Sequence, residues 1–397
     1  MSVRLAHPTG PPGGMADTTP LQMRRSSRIL RRMSVSRALR LSRVTRGAFF
    51  AACAVIVLAG VRAANSIIGP FLLAAFIAAV SLPALDWLRR HGTRTGFAVF
   101  AVVLLNAGLL TFAGWIVLES IVELRLQLPA YVDRARLLEQ DVLRRLAANG
   151  LDLGAGYFAT LAQPERLFDF ATSAARNVTS WLTLGLLLLL YLVFMLAESV
   201  ELPAKWRLVF GMNSRGTAGA ERALRQVQRY LVLKTLISLA TGLCIGLFMW
   251  LLELDFALFW GFLAFLLNFI PSIGSVIAAI PAIAIALLQY GPERALLVAA
   301  IYLGVNFTLG NVLDPIVVGR QLRLSPLVVL MSLVFWGFTL GLPGMFLAVP
   351  LTIAARILMQ VSPALARYAM LLGPLPAPGE AVSGEWTGSL ETNASAV

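Results

Sequence analysis

Two short runs hold the residues best suited to chemistry inside a bilayer: Asn268-Phe-Ile-Pro-Ser-Ile-Gly-Ser275 and Gly341-Leu-Pro-Gly344. Proline removes a backbone donor and glycine frees the dihedrals, so each run is a place for an apolar helix to break. Irregular backbone at membrane depth is tolerated only where it is buried in protein or lines an aqueous cavity. Freed amides and helix ends then offer partial charges to a small polar solute without any side-chain charge. Asn268, Pro271, Ser272, Gly274, Ser275, Gly341, Pro343 and Gly344 are therefore candidate pathway residues. Between the breaks, Asn306, Thr308 and Asn311 put polar groups on a span that also carries Gly304 and Pro315. Asparagine in a lipid-surrounded helix faces a cavity or a partner helix, so an interhelical hydrogen bond competes with a transport role. Asp314, near the inner end of that span, and Lys234, opening an earlier one, are the candidates for coupling an ion. Their structural alternatives are satisfying loop amides for Asp314 and snorkelling for Lys234.

The same residue types exclude other chemistry. The chain has 2 histidines and 2 cysteines in 397 residues. His7 and His91 sit in a tail and a short loop, and Cys53 and Cys244 inside apolar runs, which is too little for a metal centre or a disulfide framework. There is no Walker A loop, HExxH pair, GxSxG elbow or pair of membrane aspartates, so the chain is not expected to be an enzyme and implies no cofactor.

These residues must be positioned by membrane helices. Apolar residues make up 58% of the chain and charged ones only 13%, outside the soluble range. A net charge of +13 suits topology better than nucleic acid, since no basic face interleaved with aromatics is present. Ten arginines against one acid, Asp17, precede the first apolar run and mark it as cytoplasmic. The expected fold is all-α and polytopic, with about eight membrane segments: six full spans plus two re-entrant or broken helical hairpins, and a small soluble helical insertion.

The expected order begins with a disordered basic tail over 1–46, a topology anchor that also suits anionic lipid head groups, and spans one to three over 47–118. An extracytoplasmic insertion over 119–176 follows, with breaks at Pro129, Asn149-Gly150 and Pro164, serving as a spacer or a solute-capturing lid. Span four covers 177–198, a cytoplasmic helical linker 199–229 and a cytoplasmic tail 361–397. The core, 230–360, contains the broken segments 256–290 and 327–359. At 35 and 33 residues, a single helix would be ~50 Å long against a hydrocarbon core of ~30 Å. Two arms of 15 residues around Pro271 make a hairpin entered from outside; the second hairpin enters from the cytoplasm. One long tilted helix each time is the alternative. Gly242-x-x-x-Gly246 and Gly337-x-x-x-Gly341 permit close helix contact within the chain or between subunits.

Asn268–Ser275, Asn311-Val-Leu-Asp-Pro-Ile-Val-Val-Gly-Arg-Gln-Leu-Arg-Leu-Ser-Pro326 and Gly341-Leu-Pro-Gly-Met-Phe-Leu-Ala-Val-Pro350 together resemble the autoinducer-2 exporter family, also called the PerM permease family. Tyr230-Leu-Val-Leu-Lys-Thr-Leu-Ile-Ser238, Pro70 and Pro83 add to the match, which runs over roughly 47–360. The resemblance implies eight membrane segments, cytoplasmic termini in the bacterial inner membrane, and homo-oligomers, with a pentamer as the candidate size. It also implies export of autoinducer-2 in some relatives and sodium or lithium/proton antiport in others. The favoured expectation is a secondary transporter exporting a small-molecule solute, with protons or sodium as coupling partners. Antiport through Asp314 and a non-transporting scaffold are the alternatives.

Overall fold

A computed structural model describes residues 43–148, 178–210, 215–271, 273–313 and 324–361, with 316 and 372 singly. The chain forms two compact units, residues 1–60 and 61–397. Among the described residues every regular element is helical: α1 (Arg43–Ala63), α2 (Asn65–Arg90), α3 (Thr95–Ala148), α4 (Val178–Phe210), α5 (Arg215–Leu251), α6 (Ala257–Leu267), α7 (Gly274–Tyr290), α8 (Pro292–Val305) continuing as a π-helix (Asn306–Leu313), and α9 (Pro326–Val361). The expected all-α polytopic membrane class is what is observed. Among the described residues, six helices are long and apolar enough to cross a membrane, spanning 65–90, 95–141, 180–202, 224–251, 292–310 and 326–360, while 51–63, 257–267 and 274–290 are shorter apolar helices. Large apolar side chains such as Leu105, Leu186 and Leu243 stand exposed on these helices, as lipid-facing surfaces require.

Sequence breakers act selectively. Pro70, Pro83, Pro281 and Pro350 lie inside continuous helices, and so does Pro129, where a break was expected. A proline in a helix costs one hydrogen bond and some steric strain. At Pro129 the side chain is exposed beyond the apolar run, so water can satisfy the carbonyl that lost its donor. Helix α3 therefore runs on for 54 residues, ~81 Å, and the first part of the expected insertion is its continuation. The insertion's breaks at Asn149-Gly150 and Pro164, both tails beyond the helix ends, Ser272 and Asp314 lie outside the described residues. The expected linker 199–229 is shared between the end of α4 and the start of α5.

The core of the larger unit forms where α5 meets the segment after it. A Cβ on Gly242 would lie 2.7 Å from the Gly261 carbonyl oxygen, and one on Gly261 2.7 Å from the Gly242 oxygen. The Gly242/Gly246 pair thus brings α5 against α6 inside one chain. Ile245, Met249, Trp260, Ala264, Ala278, Ala282, Ala286, Val298 and Tyr302 close that core, from α5, α6, α7 and α8. A second core joins α2, α3 and α4 through Leu85, Ala98, Val102, Leu192 and Leu196.

Candidate solute pathway

The chain reverses twice in the transport core, and side-chain bonds show where. After α5, Glu253 and Phe256 adopt left-handed φ of 57° and 62°, a corner costing about 1–2 kcal/mol per residue. From it α6 runs 11 residues, ~16 Å, and α7 returns 17, ~25 Å. The Asp255 amide donates to Gln289 Oε1 at 3.1 Å, and the Tyr290 hydroxyl donates to the Glu253 carbonyl at 2.9 Å. Both ends of the excursion therefore sit together, and residues 268–273 form its tip. The two expected arms of 15 residues are in fact unequal, because Asn268, Phe269 and Ile270 belong to the turn. Gly274 is obligatory: a Cβ there would stand 1.8 Å from the Leu267 carbonyl oxygen.

The second reversal is in α9. The Trp336 indole N–H donates to Thr352 Oγ1 at 3.0 Å. Sixteen residues of straight helix would separate them by ~24 Å, so the chain folds back between them. Gly341, with φ 65° and ψ −145°, is the hinge, in a region open essentially to glycine alone. A Cβ on Gly344 would meet the Trp336 carbonyl oxygen at 2.0 Å, and one on Gly337 would meet Met345 Cγ at 2.9 Å. The Gly337-x-x-x-Gly341 pair therefore serves this hairpin's own arms.

The two reversals meet. Ile270, at the tip of the first, packs with Leu333 and Ala348 from the two arms of the second, flanked by Trp336, Met345 and Phe346. Phe269 stands edge-on to Phe76 of α2, with ring centroids 5.4 Å apart. The Asn268 amide donates to Ser238 Oγ of α5 at 2.9 Å. Ser238 continues a buried polar row on α5 with Lys234 and Thr241, at 0%, 8% and 2% exposure respectively. Thr352 donates to the Ala348 carbonyl at 2.7 Å, Thr339 to Phe335 at 2.7 Å and Ser332 to Val329 at 2.8 Å. Polar groups at the crossing are thus paired, as a low-dielectric interior demands.

At the hinge of the second hairpin, Gly69 of α2 packs on Pro343, to whose Cγ its Cβ would come within 3.3 Å. The Asn65 side chain lies beside Gly341, and its Oδ1 is buried without a hydrogen-bond partner. The Arg62 guanidinium sits over the Phe338 ring, 4.2 Å from the centroid. At the other end, the Tyr131 hydroxyl of α3 donates to the Asp255 carboxylate, with Gln127 Oε1 2.7 Å away. The long α3 thereby braces the corner where the first hairpin begins and ends.

Of the residues singled out by sequence, Asn268 and Pro271 lie in the first tip, Gly274 and Ser275 open α7 directly after it, and Gly341, Pro343 and Gly344 form the second hinge. Lys234 is buried in protein on α5, one turn from Ser238, rather than at a snorkelling end. Asn306 donates to the Tyr302 carbonyl at 2.7 Å, where the ladder widens into the π-helix, and Thr308 is exposed. The side chain of Asn311 lies outside the described residues. Ser238, Thr241, Trp336, Thr352 and Asn65 were not anticipated as site residues. Lys234, Ser238 and Thr241 at helical spacing on an apolar span were the readable signal for the first two.

Comparison with known proteins agrees with this architecture. A family model described as AI-2E family transporter matches residues 51–364. The AI-2 transport protein TqsA of Escherichia coli (strain K12) is 39% identical over 325 residues, 81% of this chain and 93% of that protein. The putative transport protein YhhT of the same strain is 36% identical, covering 81% of this chain and 92% of its own length. The putative transport protein YrrI of Bacillus subtilis (strain 168) is 26% identical, covering 73% and 85%. A family match over most of the chain, carried by a helical membrane fold with paired reversals in its core, shows that this protein belongs to the AI-2E family of membrane transporters.

Proposed function

We propose that the protein exports autoinducer-2, or a small solute of the same kind, across the bacterial inner membrane by secondary transport, with both termini cytoplasmic. The observation that carries this reading is the meeting of two chain reversals at Ile270, Leu333 and Ala348. Both reversals act as re-entrant hairpins, entering from opposite faces: the first begins and ends at the corner 253–255, outside in this topology, and the second follows in sequence the basic stretch with Arg320 and Arg323, a positive-inside signal. Broken segments of opposite entry around a midplane site are the recurring basis of alternating access. The first tip is joined to α5 by a neutral bond, Asn268 to Ser238, weak enough to exchange for a bond to solute. The chain performs no covalent chemistry on its cargo.

Specificity in this reading comes from neutral hydrogen-bonding groups, and the small-molecule partner needs no fixed charge. The ordered α3 extension, fixed to the 253–255 corner by Tyr131, couples the insertion to the first hairpin and supports a gating role over that of a passive spacer. A second reading, sodium or lithium/proton antiport, draws on the buried Lys234, since a cation held inside a span is costly and marks ion pathways. In it Lys234 and Asp314 exchange charge with the transported ion.

Purified full-length protein in proteoliposomes distinguishes the two. Efflux of preloaded autoinducer-2 that depends on the protein and is lost in Gly274→Ala supports export. Sodium-dependent proton movement with no autoinducer-2 efflux would replace it by antiport, and neither flux would leave a non-transporting scaffold.

A further inference from the structure

Tyr302 of α8 is 2% exposed, and its hydroxyl has no hydrogen-bond partner. Several buried polar side chains of the transport core are paired, Ser238 with Asn268, Thr241 with the Ile237 carbonyl and Trp336 with Thr352, whereas Asn65 Oδ1 at the second hinge also lacks a partner. A phenol in an apolar core ordinarily finds a partner, and phenylalanine would fill the same space without the penalty. The wall it packs against belongs to the first hairpin. Ala278, Ala282 and Ala286 of α7, four residues apart and each fully buried, share its cluster with Ile245 and Met249 of α5. Small side chains in register give a flat face on which α7 and α8 approach closely.

A second observation lies one turn further on. Asn306 takes the Tyr302 carbonyl at 2.7 Å, and from Asn306 the backbone is a π-helix for eight residues. Such widened turns are rare and concentrate where a helix is used rather than merely packed. The orphaned hydroxyl and the altered backbone thus fall one turn apart on the same helix.

Resting on the transport reading above, we infer that the Tyr302 hydroxyl is a binding group for the transported solute, offered to the pathway when the alanine face of α7 moves off α8. The solute it takes is small, neutral and hydroxylated. A phenol both donates to and accepts from a hydroxyl, which matches a neutral hydroxylated solute.

The test uses full-length protein in proteoliposomes, with autoinducer-2 as the probe. Tyr302→Phe removes one oxygen. The expected result is a KM raised about tenfold, with kcat within about twofold and a thermal midpoint that does not fall. An unchanged KM with a raised midpoint would mean a purely structural phenol and overturn the inference. A readout independent of flux uses Tyr302→Cys on a Cys53→Ser, Cys244→Ser background, which leaves one thiol. A small water-soluble thiol reagent should modify position 302 in the native membrane-embedded protein, and autoinducer-2 should slow it. Modification only after denaturation would overturn the inference whatever the flux. Absent wild-type efflux would strike the transport reading instead, and the labelling would still decide whether the position opens.

Discussion

The two hairpins solve the same problem by different means. The first turns through six residues, 268–273, and its tip is fastened outward: Asn268 to Ser238 of α5, Phe269 to Phe76 of α2. The second turns on one glycine, Gly341, and besides resting on α2 at Gly69 and Arg62 it is braced across its own arms, Trp336 of one bonding Thr352 of the other. A hairpin held by its neighbours changes when they move, whereas one braced across its own arms moves as a body. In the proposed mechanism the second is the rigid half of the pathway, and the first is the docked half whose attachments are exchanged.

The largest effect that would break this comparison is steric. Gly274→Ala and Gly344→Ala place a methyl 1.8 and 2.0 Å from backbone carbonyl oxygens, where no side chain can yield. Each should destabilise by about 3 kcal/mol or more, seen as a lowered thermal midpoint in detergent and loss of flux. Gly341→Ala meets no close atom except the Asn65 amide at 3.5 Å, so its cost is conformational, about 1–3 kcal/mol.

Smaller effects sharpen the comparison. Thr352→Val leaves the Trp336 N–H without its acceptor and should cost about 1–3 kcal/mol, with KM little changed because the brace lies within one body. Ser238→Ala removes a bond between bodies and should cost only about 0.6 kcal/mol, near the typical value for interhelical bonds in membranes. Its signature should be kinetic, a changed distribution between inward- and outward-accessible tips reported by labelling at position 271. If Thr352→Val alters sidedness and Ser238→Ala alters only stability, the roles are reversed.

Much of the architecture could be read in advance, because apolar run length and basic loops are direct consequences of bilayer thickness and topology. The described helices α6 and α7 fall at 257–267 and 274–290, and α9 spans 326–361. What proline would do was harder to read. Prolines such as Pro70, Pro83, Pro129, Pro281 and Pro350 are absorbed by helices, while reversal occurs where a glycine without room for a side chain accompanies Pro271 or Pro343. That crowding is a property of the folded chain, invisible in local sequence. The bonds that build the site join residues 30 positions apart for Asn268–Ser238 and 16 apart for Trp336–Thr352, beyond any helical periodicity. Tyr302 reads in sequence as an ordinary core aromatic, and only its lost partner sets it apart.

The most direct measurement places cysteines at Ile270 and Leu333, on a background lacking Cys53 and Cys244, in proteoliposomes loaded with autoinducer-2. Oxidation should form a disulfide joining the tip of the first hairpin to an arm of the second. Efflux should stop and return on reduction. Efflux that continues at full rate through quantitatively cross-linked protein would contradict the account, as would a pair that never cross-links in a transporting preparation.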